Sequence, residues 1–142
     1  MTRRTTLSPE ETVAAGREFG SLLTGGDVVA IAGTLGSGKT CFVRGVSEAH
    51  GVRSHVGSPT FTLINEYPGT RFTVVHVDLY RLKSGRELSE LGIMEYFSED
   101  RICLIEWPDL VQTILPRDHY TVKIQHGSSE RERVIMIDRA GA

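Results

Sequence analysis

The chain reads as short apolar blocks set between amphipathic stretches, and the spacing within each block predicts its element. "DVVAIAG" (27–33) and "RICLIEW" (101–107) are apolar runs of strand length, so each is expected as a buried strand. "KTCFVRGVSEAH", after the first run, predicts a helix with Gly51 as its stop. Upstream, Ser8 can cap a helix, Pro9 suits its first turn, and Glu11 stands three residues after Ser8 as in a capping box. That helix is expected to reach about residue 23, where Gly25-Gly26 ends it.

Two hairpins and a third helix complete the pattern. Pro68-Gly69 separates β-rich runs at 60–67 and 71–77, which predicts a hairpin. "SGRELSELGIMEYF" puts Leu88, Leu91, Met94 and Phe97 on one helical face, with Ser84 as its cap. "HYTVKIQ" and "RERVIMID" are expected to pair across a turn at 126–130. The order of elements predicts an α/β protein, one domain over residues 1–142, with a mixed sheet and antiparallel additions.

Charge and cysteine content narrow the classes. Sixteen basic against eighteen acidic side chains give a formal charge of −2, which argues against a dedicated nucleic-acid binder with a clustered basic face. The Arg3-Arg4 and Arg131/Arg133 pairs read as solvated charges on a tail and a strand. Cys41 and Cys103 form no CxxC pair, so no zinc or disulfide framework is expected and a cytoplasmic location fits. No apolar run has the length of a membrane span, and the N-terminus lacks the apolar core of a signal peptide.

The chemistry gathers on "GTLGSGKT" (33–40). Gly33-x4-Gly38-Lys39-Thr40 is the phosphate-cradling loop, here between a strand and a helix as the motif requires. Backbone N–H groups of Leu35, Gly36, Ser37, Gly38, Lys39 and Thr40 can surround a triphosphate, backed by the helix dipole. Lys39 can reach the β- and γ-phosphates, and the Thr40 hydroxyl can ligate Mg²⁺.

A magnesium site needs a carboxylate opposite the threonine, and two acids are placed to supply it. "VVHVD" ends at Asp78 and "ICLIE" ends at Glu106, each at the end of an apolar strand. One can hold the metal and the other can position the attacking water. Thr60, in "SPT", lies where switch segments that sense a γ-phosphate occur. His76 shares a strand face with Asp78, and a hydrogen bond orienting Asp78 is expected. Trp107 follows Glu106 and can pack near the nucleotide or present a partner surface. Arg81 is expected in a surface ion pair.

With these residues assembled, the chain resembles the bacterial TsaE (YjeE) family. "GTLGSGKT", "SPTFTL", "HVDLYRL", "ELGI", "EYF" and "ICLIEWP" occur in that order, and the likeness runs from about residue 8 to residue 116. "HVDLYRL" with "IEWP" is far more specific than the glycine loop. The resemblance implies a P-loop NTPase-like, three-layer α/β fold with a mixed, mostly parallel sheet. It also implies ATP with Mg²⁺ and slow hydrolysis alongside the TsaD–TsaB pair, which makes threonylcarbamoyladenosine at position 37 of tRNAs reading A-starting codons. It implies that residues 35–40 hold the phosphates, Thr40 and Glu106 hold magnesium, and Asp78 is needed for turnover. It also implies that Pro9 lies against the base side of the nucleotide. Two departures stand out: Thr34 replaces the family's usual acid, and Cys41 its usual Ser or Thr. A small kinase or a non-hydrolysing, nucleotide-dependent binding module are the other readings of the same loop. Membrane and DNA partners are not expected, and any tRNA contact is expected to be shared with partners.

Overall fold

A computed structural model of the protein describes residues 2–34, 36–54, 56, 64–79, 82 and 85–140. Its strands are β1 (Thr2–Thr6), β2 (Val28–Gly33), β3 (Ile64–Pro68), β4 (Thr73–Asp78), β5 (Arg101–Glu106), β6 (His119–His126) and β7 (Arg133–Ala140). The helices are α1 (Pro9–Gly20), α2 (Lys39–Ala49) and α3 (Gly85–Glu90), with 3₁₀ turns at Ile93–Tyr96 and Pro108–Val111.

All seven strands join one sheet in the order β1-β7-β6-β2-β5-β4-β3. The inner strands β6, β2, β5 and β4 run parallel. Antiparallel partners close both sides, β7 and β1 beyond β6, and β3 beyond β4. This is the expected α/β sheet, parallel at its centre. The apolar runs fill that centre because both faces are covered there. Val29, Ile31 and Leu104 meet Phe19, Phe42, Val43 and Val46 of α1 and α2. On the opposite face Val28, Val75, Val77, Cys103 and Ile105 meet Leu79, Leu88, Ile93 and Val111.

The helix that carries the glycine loop is seated by a backbone-to-backbone approach. A Cβ at Gly45 of α2 would lie 2.0 Å from the Val13 carbonyl of α1, and one at Gly16 would lie 2.2 Å from the Phe42 carbonyl. Only glycine permits that distance. The start of α1 matches the sequence closely, since the Glu11 N–H donates to Ser8 Oγ at 3.1 Å. Glu11 Oε1 accepts the Leu7 N–H at 3.2 Å, one residue before the usual capping-box partner. The α-helix ends at Gly20 rather than near residue 23. Tighter bonds from the N–H groups of Leu22 and Leu23 to the carbonyls of Phe19 and Gly20 replace its last turn.

Three further expectations change. Arg3 and Arg4 are not on a tail but in β1, paired with β7 from Thr2↔Ile137 to Thr6↔Arg133. No apolar pattern announces "TRRTT", because it is an edge strand with four of its five residues exposed. The helix expected over 84–97 breaks at Gly92, whose φ is 63°, and continues as a 3₁₀ turn. That rotation buries Ile93 and leaves Met94 exposed, contrary to the expected face. The second hairpin turn is longer than expected, since β6 runs to His126 and β7 starts at Arg133. Residues 60–63 of the first hairpin, the Ser84 cap and Arg81 lie outside the described residues. Among the described residues no helix is long and apolar enough to cross a membrane.

The two cysteines differ sharply in environment. Cys103 lies in the core, where burial pushes its thiol up to about 12, while Cys41 is half-buried on α2. A thiol reagent at neutral pH is therefore expected to modify Cys41 in the native protein and Cys103 only after denaturation. Mass spectrometry of the labelled peptides checks this, and native labelling of Cys103 would contradict the packing.

Candidate functional site

Three adjacent parallel strands end together. β2 passes at Gly33 into the glycine loop, and in register Ile31 and Asp78 both lie opposite Glu106. The loop, Glu106 and Asp78 therefore meet along one edge of the sheet, where ligands gather in open α/β folds. Sequence spacing alone delivers each acid to a strand end; the parallel register puts them side by side.

The loop turns through left-handed glycines, Gly36 at φ 77° and Gly38 at φ 103°. Gly38 is the N-cap of α2 and contributes no side-chain cap, so the first N–H groups of that helix are left for an outside acceptor. Ser37 is 1% exposed, and its buried Oγ has no hydrogen-bond partner among the described residues. Lys39 is 6% exposed, with Nζ donating to the carbonyls of Gly33 at 2.5 Å and Thr34 at 3.1 Å. The same Nζ lies 4.0 Å from the centre of the Trp107 ring. Burial lowers the Lys39 pKa, against the opposing pull of the Glu106 and then the Asp78 charge. A buried ammonium bound to carbonyls and an aromatic face, beside uncapped N–H groups, is an arrangement suited to a polyanion.

Glu106 is nearly fully buried, and its Oε2 accepts a hydrogen bond from Nε2 of fully buried His76. The expected bond from His76 to orient Asp78 thus goes to Glu106, across the strand pair rather than along β4. Asp78 is half-buried at the strand end. Trp107 has φ 58°, the one left-handed non-glycine among the described residues, and its N–H donates to Ile31 at 3.2 Å. That conformation is costly for a bulky residue and sits between Glu106 and the Pro108–Val111 turn. Of the two places expected for Trp107, its ring contact is with Lys39.

Thr40 is half-buried at the second position of α2, next to the loop. Pro9 opens α1 and is exposed, and Thr12 of that helix comes within 3.6 Å of where a Gly38 Cβ would be. The start of α1 therefore borders the loop. Leu35 and Thr60 lie outside the described residues. Among the described residues no group of three or more His, Cys, Asp or Glu forms a metal site by itself. A hydroxyl and one or two carboxylates facing a phosphate loop suit Mg²⁺, which shares its shell with phosphate oxygens and water.

One residue carries no signal in the sequence. Arg133, expected as a solvated strand charge, is half-buried, with Nη2 donating to the Gly36 carbonyl at 3.4 Å. Its Nη1 is held by the carbonyls of Glu130 and Glu132 at 2.7 and 2.9 Å. No local pattern marks it, because only the pairing of β7 with β1 and β6 carries it to the loop.

The family model described as "Threonylcarbamoyl adenosine biosynthesis protein TsaE" matches residues 6–135. The "tRNA threonylcarbamoyladenosine biosynthesis protein TsaE" of Bacillus subtilis (strain 168) is 39% identical over 128 residues, covering 89% of this chain and 80% of that protein. The protein of the same description from Treponema pallidum (strain Nichols) is 41% identical over 117 residues, covering 82% and 84%. The crystal structure of Bacillus subtilis YdiB is similar with a TM-score of 0.82 and 32% identity, covering 99% of this chain and 86% of that one.

Proposed function

The chain belongs to the TsaE family of threonylcarbamoyl adenosine biosynthesis proteins, and from that premise we propose that it binds ATP and hydrolyses it slowly. In this reading it acts in the cytoplasm with the TsaD–TsaB pair, in forming threonylcarbamoyladenosine on tRNAs that read A-starting codons. The observation that carries the reading is Lys39, buried on the loop carbonyls with Asp78 and Glu106 nearby.

Each residue then has a task. The N–H groups of residues 35–40 hold the phosphate chain, and Lys39 moves from the Gly33 and Thr34 carbonyls to the β- and γ-phosphates. Thr40 and Glu106 would hold Mg²⁺, which when bound offsets charge on the phosphate oxygens. Asp78 orients the attacking water, and Thr60 is assigned to sensing the γ-phosphate or the metal. Trp107 shields Lys39 from solvent on one side. Pro9 and Arg133 border the outer part of the nucleotide. The near-neutral net charge supports tRNA contact that is shared with partners rather than made alone.

The test is phosphate release from ATP by the purified protein, alone and with TsaD–TsaB. Slow release that rises with the partners is expected. Indifference to them, with phosphate passed to a small acceptor instead, would overturn the accessory-ATPase role and leave a phosphotransferase.

A further inference from the structure

Ser37 Oγ and His76 Nδ1 are the buried side-chain polar atoms without a partner among the described residues. The first belongs to the phosphate loop. The second belongs to a ring that reaches, through its other nitrogen, the carboxylate that would hold the metal. His76 lies opposite Leu104 in the β4–β5 register, two residues short of Glu106 and on the same sheet face. Its Nε2 meets Glu106 Oε2, and both side chains are almost wholly withdrawn from solvent.

We propose that His76 is a positioning residue for the divalent cation: by donating to Oε2 it fixes the Glu106 carboxylate and leaves Oε1 as the oxygen open to the metal. The proposal rests on Glu106 being a magnesium ligand. A metal-holding carboxylate can only accept, so the shared hydrogen sits on His76 Nε2. A core that needed only packing would do as well with two apolar side chains here, since burying this pair leaves Nδ1 without a partner among the described residues. The fold gives no reason for the pair; a carboxylate held in one orientation for a cation does.

The experiment titrates Mn²⁺, followed by electron paramagnetic resonance, into the protein–ADP complex. Wild type is compared with His76→Leu, His76→Gln, Glu106→Gln and the His76→Leu/Glu106→Gln double variant. His76→Leu is expected to weaken Mn²⁺ binding by about 10- to 100-fold, with ADP affinity in EDTA unchanged. His76→Gln, which keeps an N–H at similar reach, is expected to restore most of it. The double variant should bind Mn²⁺ no more weakly than Glu106→Gln alone, because His76 acts only through that carboxylate.

Wild-type Mn²⁺ affinity in His76→Leu, beside a weakened Glu106→Gln, would overturn the positioning role alone. Unchanged affinity in Glu106→Gln would overturn the metal assignment itself. If His76→Leu does not fold, His76→Gln is set against His76→Asn, whose shorter amide cannot reach. Equal Mn²⁺ affinities in those two would overturn the proposal.

Discussion

Lys39→Ala is expected to lower both ATP affinity and turnover, with turnover falling by about 10²- to 10³-fold, the usual cost of removing one aligned donor from a developing anion. Nζ is held by two loop carbonyls and covered by the Trp107 ring, so it is positioned before any ligand arrives. On binding, Nζ exchanges those carbonyls for phosphate oxygens. Titration with a fluorescent ATP analogue and a phosphate-release assay measure the two effects. Affinity equal to wild type would remove Lys39 from the phosphate site.

The same lysine has a signature in the unliganded protein. Its pKa lies below 10.5 in the fold because burial disfavours the charge. Between the lowered value and 10.5 the unfolded chain binds more protons than the folded one, so folding stability gains as pH rises through that window. Below the window the penalty is fully present. Denaturant unfolding should therefore show a pH-dependent gain in wild type that Lys39→Ala lacks.

Asp78→Ala is expected to reduce hydrolysis by about 10²- to 10⁴-fold, the range for losing a group that handles a proton or orients a nucleophile. Nucleotide affinity should change little, because the loop N–H groups and the Lys39 ammonium are kept, with Glu106 still the larger charge effect beside it. Asp78 ends β4 half-buried, so its removal leaves no large core cavity. A loss of binding and folding together would make Asp78 structural. Turnover equal to wild type would pass the water to another group. Either result would also bear on the binding-module reading, in which hydrolysis matters little.

Much of the site is legible in the sequence because its chemistry is contiguous. Residues 33–40 form a loop whose glycines, lysine and threonine must be neighbours to act on one phosphate chain, so their spacing is the signal. The strand-end placement of Asp78 and Glu106 is legible for a related reason, since an apolar run ending in an acid delivers it to the sheet edge. The helical face at Leu88 is legible too, but its extension to Met94 is not. Periodicity cannot foresee that Gly92 takes a positive φ and rotates the residues after it.

The chain's own pattern thus determines its α/β class, the buried character of its core strands and the phosphate loop, through signals carried by residues close in sequence. Tertiary pairing decides the rest. β1 has no apolar code and exists because β7 offers it an edge. Arg133 reaches Gly36 across 97 positions of sequence because that same pairing begins beside the loop. His76 serves Glu106 rather than nearby Asp78 because two parallel strands bring residues 30 positions apart into hydrogen-bond contact. Such partners depend on strand order and register, and these are set by which faces the whole chain can bury together.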